Sequence, residues 1–152
     1  MELSRNEITM LYNATKNIDL SNMSNACRKA FIVNAIKLKP VAEQIIEENT
    51  KVAESLRTPE YSEVFKKYMS ARNLAETVKT KETKASYEKV AKEFEPLFAD
   101  FEKNFNDAIA ELQQSFEVEL TIIPLNDFVE YLGKLPNEYT FNNIMVFEKL
   151  LV

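Results

Sequence analysis

Residues 83–123, TKASYEKVAKEFEPLFADFEKNFNDAIAELQQSFEVELTII, change their hydrophobic period part-way along, and that change decides the fold class. Tyr87, Val90, Phe94, Leu97, Phe101, Phe105, Ala108, Leu112 and Phe116 recur at steps of three or four residues, which places them on one helical face. Ala91, Phe98 and Ile109 widen that stripe to the breadth of a core-facing helix, while Glu88, Lys89, Lys92, Glu93, Asp100, Glu102, Lys103 and Glu111 fall mostly opposite. Such a helix is about 50 Å long and needs a similar helix beside it. Pro96 removes a backbone donor and crowds the Lys92 carbonyl, which predicts a kink. After Phe116 the period becomes two. Phe116, Val118, Leu120 and Ile122 alternate with Glu117, Glu119 and Thr121, a half-buried strand that Pro124 ends.

A lone strand leaves its backbone unsatisfied, so this one needs an edge, either Met1–Leu3 or a second copy of the chain. Ser4-Arg5-Asn6-Glu7 reads as a capping box, and Leu3 and Ile8 occupy the two positions of a hydrophobic staple. The helix that follows turns Ile8, Leu11, Tyr12 and Ile18 inward and stops near Asn17–Asp19.

Ser21 or Ser24 caps a second long helix, about 22–57, which buries Cys27, Ala30, Phe31, Ala35 and Leu38. Pro40 interrupts it. The pattern resumes as a coiled-coil seam of Ala42, Ile45, Asn49, Val52 and Leu56, with Asn49 either setting the register or half exposed. Each long helix holds one internal Pro, and the simplest arrangement lays them antiparallel.

Thr58-Pro59 starts a further helix with the inner stripe Tyr61, Val64, Phe65, Tyr68, Ala71, Ala75 and Val78. Residues 79–84, KTKETK, read as an exposed turn. Beyond Pro124, Asn126 or Asp127 caps a short helix that Gly133 ends in the left-handed conformation. Leu135-Pro136 is extended, and Thr140 caps a last helix carrying Phe141, Ile144, Phe147, Leu150 and Leu151, whose apolar end docks. The expected fold is therefore mainly α: a long antiparallel helical hairpin of two Pro-kinked helices, additional helices, and a small two-stranded β element near the termini. It is expected to form a single domain over 1–152, with the hairpin at about 22–116 and a small α/β part at 117–152.

Composition narrows the chemistry. One Gly denies the chain a glycine-rich phosphate loop. One Cys and no His leave no intramolecular disulfide, no Cys/His zinc site and no Ser–His or Cys–His relay. A net charge of −5 opposes sequence-independent binding to nucleic acid. No apolar run approaches a membrane span, and the first residues lack the basic and apolar regions of a signal peptide, so a cytoplasmic protein is expected.

Glu43 and Glu47 stand one turn apart with Glu48 adjacent, yet carboxylate di-metal bundles add Glu-x-x-His pairs. A solvated acidic face is expected, and no metal or cofactor. Cys27 reads as a buried small hydrophobe, and Phe94, Phe98, Phe101 and Phe105 as core rather than a ligand cavity. Lys, Glu and Tyr can perform acid–base work, but nothing groups them, so no enzyme is expected. Lys79, Lys81 and Lys84 are the candidate contacts for a partner, beside their plainer reading as a soluble turn.

One resemblance lies in the layout. A short N-terminal strand, a capped helix, a long helical hairpin, a strand ending in Pro-Leu-x-Asp (Pro124–Asp127) and a final Leu-Pro-x-x-x-Thr-Phe segment (Leu135–Phe141) follow in order. This resembles small proteins of uncharacterised function encoded among structural and assembly genes of tailed phages. The resemblance implies a non-enzymatic interaction protein, a phage or prophage structural or assembly accessory found in the host cytoplasm or the virion. The alternative is an anti-defence inhibitor that binds a host nuclease or another defence protein.

Overall fold

The computed structural model describes residues 1–135 and 145–152. Among them are β1 (Glu2–Ser4), α1 (Arg5–Asn17), α2 (Asn25–Leu56), α3 (Pro59–Thr77), α4 (Lys81–Glu111), β2 (Ser115–Glu117) and α5 (Leu125–Leu132), followed by a 3-10 turn at Glu148–Leu150. The chain is mainly α with one small two-stranded sheet. It forms two compact units, Met1–Glu47 with Gln113–Val152, and Glu48–Leu112.

The first unit holds the main core. Ser4 and Glu7 form the full reciprocal capping box at the start of α1, and the staple residues Leu3 and Ile8 are both buried. Leu11, Met23, Cys27, Ala30, Phe31, Leu38, Ala42, Ile45, Val118, Ile123, Phe128, Tyr131, Phe147 and Leu150 complete the cluster. The Phe31 ring meets Phe128 at 5.6 Å and Phe147 edge-on at 5.0 Å. Ser24 caps α2, its Oγ accepting from the Cys27 N–H at 3.2 Å and donating to Asp127. Arg28 gathers the connection before α2 by donating to the carbonyls of Leu20, Ser21 and Met23.

β1 and β2 pair antiparallel, with Leu3 opposite Phe116, so the strand's edge is the chain's own N-terminal segment. β2 is shorter than the 116–123 strand the alternation predicts. Val118 still donates to the Met1 carbonyl, but at Thr121 a side chain replaces a strand. The buried Asn34 amide accepts from the Thr121 N–H at 2.6 Å and donates to its carbonyl at 2.8 Å. The inward face then slips by one residue: Ile122 is exposed and Ile123 is buried. Ile123 bridges Leu151 in parallel, exchanging hydrogen bonds with Leu150 and Val152.

Three local expectations are corrected here. Gly133 has φ −64° and ψ −17°, right-handed rather than left-handed, because the chain tightens past α5 through Lys134 N–H to Tyr131 and Leu135 N–H to Leu132. Asn126 and Asp127 lie inside α5, whose N-cap is Pro124, and Asp127 accepts from Ser24 instead. The last helix expected over 140–151 falls partly outside the described residues; after Met145 the chain makes a 3-10 turn, and Leu151 is extended.

In the second unit the hairpin is α3 with α4. The 22–57 helix, the partner expected for α4, does not take that place, because the three-residue link Val78–Thr80 returns the chain directly along α3. α4 continues through Pro96 and stops at Glu111, earlier than the Phe116 that periodicity suggests. Leu112 fits the helical stripe by spacing alone and serves as the C-cap. Asn49, Val52 and Leu56, at the end of α2, are half-buried.

Candidate interaction surface

The hairpin is built from strong local signals. Thr58 caps α3 by accepting from the Tyr61 N–H at 3.1 Å, and Pro59 sits in the first turn where its missing N–H costs nothing. The turn is tighter than residues 79–84 suggest. Thr80 and Thr83 cap each other reciprocally at 3.2 Å, which draws Lys81 and Lys84 into the first turn of α4. Lys79, Lys81 and Lys84 thus stand exposed at one end of the hairpin, and none forms an ion pair among the described residues.

Aromatic rings hold the two helices together in antiparallel order. Tyr61 stacks on Phe101 at 4.9 Å and meets Phe94 at 5.4 Å, and Tyr68 stacks on Phe94 at 4.8 Å. Nearer the turn Tyr68 meets Tyr87, their hydroxyls 3.3 Å apart, and this hydrogen bond holds the Tyr87 hydroxyl above its ordinary pKa. Such pairs contribute about 0.5–1.5 kcal/mol each beyond area burial.

The expected core stripe is only partly covered. Over the whole of Glu48–Leu112, Tyr61 and Phe94 alone are buried. Phe94 lies between two rings that remain open to solvent, Phe65 (40% exposed, 5.6 Å away) and Phe98 (43% exposed, 5.7 Å away). Phe101 and Phe105 are half-buried, and Leu74 and Val78 are exposed. Periodicity identified the stripe but carried no signal for how completely a neighbour covers it. In the first unit the rings of Phe31, Phe128, Tyr131 and Phe147 are all buried, and the exposed apolar side chains among the described residues, Ile36 and Val129 included, are not aromatic.

Charge is segregated along the hairpin. Between Val64 and Lys92, through the turn, eight basic residues (Lys66, Lys67, Arg72, Lys79, Lys81, Lys84, Lys89, Lys92) face three acidic ones (Glu76, Glu82, Glu88), a net of +5. The other end, Thr58–Glu63 with Glu93–Glu111, holds eight acidic residues (Glu60, Glu63, Glu93, Glu95, Asp100, Glu102, Asp107, Glu111) against Lys103, a net of −7. On α3, Glu63–Lys67 at 2.9 Å and Arg72–Glu76 at 3.1 Å are one-turn ion pairs. The charged side chains of α4 form none among the described residues.

Elsewhere the groups weighed for chemistry stand apart. Among the described residues no three His, Cys, Asp or Glu side chains are placed to hold a metal ion. Glu43 and Glu47 are exposed, with Glu43 3.8 Å from Lys39. Cys27 is fully buried, and burial, with the nearby Asp127 carboxylate, pushes its thiol up to about 11. Among the described residues no helix is long and apolar enough to cross a membrane. Comparison with protein families, with curated proteins and with solved structures yields no match.

Proposed function

We propose that this is a non-enzymatic protein–protein interaction protein whose binding surface is the aromatic face of the α3/α4 hairpin. The observation that supports this is the pair of open rings, Phe65 and Phe98, flanking the buried Phe94. Neighbouring rings left open around a buried one offer anchors for a partner, and aromatic side chains dominate the energetics of protein interfaces. The layout resemblance narrows the setting to an accessory of phage or prophage particle assembly, working in the host cytoplasm or carried in the virion.

Site-specific crosslinking tests the interaction. A photoreactive benzoylphenylalanine replaces Phe98 in one variant and the exposed Glu130 of α5 in a control, and both are irradiated in the producing cells. A defined polypeptide adduct from position 98 and not from 130 is expected. Equal adduct formation at both positions, or none at 98, contradicts the proposal.

A further inference from the structure

We propose that a second copy of this chain covers the hairpin face, docked antiparallel so that the basic turn end of each copy lies on the acidic end of the other. This rests on the interaction reading and names its partner.

The first support is the charge pattern. α3 and α4 run antiparallel, so packing one on the other leaves like charges together at each end, +5 at the turn and −7 at the opposite end. α4 itself gains little from this order. A helix favours anions at its N-terminus and cations at its C-terminus, yet the first turn of α4 sets Lys81 and Lys84 against a single Glu82, and its end carries Asp107 and Glu111 with no basic residue in the last turn. A second hairpin laid head to tail sets each basic end on an acidic one. A parallel arrangement sets like on like.

The second support is position. Pro96 is the middle residue of α4, and Phe94 and Phe98 lie on either side of it, at the changeover of charge. A two-fold axis through this point superposes the open aromatic patch on itself while matching both charged ends with one surface. The size also fits: α3 lies beside α4 for its 19 residues, about 28 Å by 20 Å, and the rest of the 31-residue α4 adds about 18 Å by 10 Å, or about 750 Å² per copy. Stable specific interfaces use about 800 Å² per partner.

Sedimentation equilibrium of the full chain at low salt tests this with two charge-reversed variants. One carries Lys81→Glu and Lys84→Glu, the other Asp107→Lys and Glu111→Lys, the positions the two-fold axis sets opposite them. All four sites are exposed, and the changes at 81, 84 and 111 agree with the helix dipole, so α4 stays folded. Far-ultraviolet circular dichroism confirms that.

The wild type is expected to dimerise at roughly micromolar to tens of micromolar concentration, and each variant alone at least about tenfold more weakly. An equimolar mixture of the two is expected to recover the wild-type affinity, because each end then meets its opposite. A monomeric wild type at about 200 μM, variants that dimerise as the wild type does, or a mixture no tighter than its components would each overturn the proposal. A monomeric wild type whose position 98 crosslinks to a different protein overturns self-docking alone. A monomer with no crosslink overturns the interaction reading as well.

Discussion

Asn34 offers the sharpest probe of how the first unit holds together. Its amide is 1% exposed and satisfies both backbone groups of Thr121, 87 residues away, at 2.6 and 2.8 Å. Asn34→Leu keeps the volume but removes both partners. Two net hydrogen bonds at about 0.5–1.5 kcal/mol, together with partial desolvation of the half-buried Thr121 groups, give a loss of about 2–4 kcal/mol. For a chain of this length each kcal/mol shifts Tm by about 2–4 °C, so a fall of about 4–16 °C is expected in a melt followed by circular dichroism.

Asn34→Asp supplies the control. It retains an acceptor for the Thr121 N–H but faces the Thr121 carbonyl with a second oxygen, charged and buried. Burial raises the folded-state pKa of such a carboxyl above the unfolded value of about 3.9, so its penalty is absent below that value and grows as pH rises. The deficit of Asn34→Asp against the wild type should shrink from pH 7 to pH 4, where the protonated acid can again donate. A change under about 0.5 kcal/mol for Asn34→Leu, with no pH dependence for Asn34→Asp, would refute the assignment of this amide as the partner of the extended segment.

Gly133→Ala is expected to stabilise by about 0.4–1 kcal/mol, since φ is −64° and the added Cβ meets the Glu130 carbonyl at 3.5 Å; a lowered urea midpoint would contradict it. Glu7 accepts hydrogen bonds from Lys149 and from the N–H and hydroxyl of Ser4, and these contacts lower its pKa from 4.5 to about 2. Its contribution is therefore full above the ordinary carboxylate range and lost as pH falls towards about 2. Glu7 is partly exposed, so Glu7→Gln should cost no more than about 1 kcal/mol at pH 7, and wild type and variant should converge near pH 2; a constant gap would contradict it. Cys27 should react with a thiol reagent at pH 8 only as fast as the first unit unfolds, and rapid stoichiometric labelling of native protein would show it accessible.

What the sequence made legible is contiguous. The Ser4–Glu7 box and the Thr58-Pro59 start need only four adjacent residues, and both stand as expected. Past β2, whose last paired residue Glu117 stands opposite Glu2, the Thr121 backbone is held by Asn34, which no local pattern links to it, so alternation overran the strand. Gly133 and Asp127 follow common local preferences that distant groups override, the tightened chain beyond α5 in one case and Ser24 in the other. The pairing of α4 with α3 was available in the short polar link, but equal helix lengths and matching prolines outweighed it. For the candidate surface, periodicity placed Phe94 and Phe98 on one stripe, yet only the packed structure separates the buried ring from the open ones.

The decisive question is whether another polypeptide covers the hairpin face. Hydroxyl-radical footprinting read by mass spectrometry measures that cover directly, comparing dilute purified protein with protein in its producing cells. Oxidation at Phe65 and Phe98 is predicted to fall several-fold in the cell, while the exposed Val129 of α5 keeps its reactivity. Equal oxidation of Phe65 and Phe98 in both states would contradict the account.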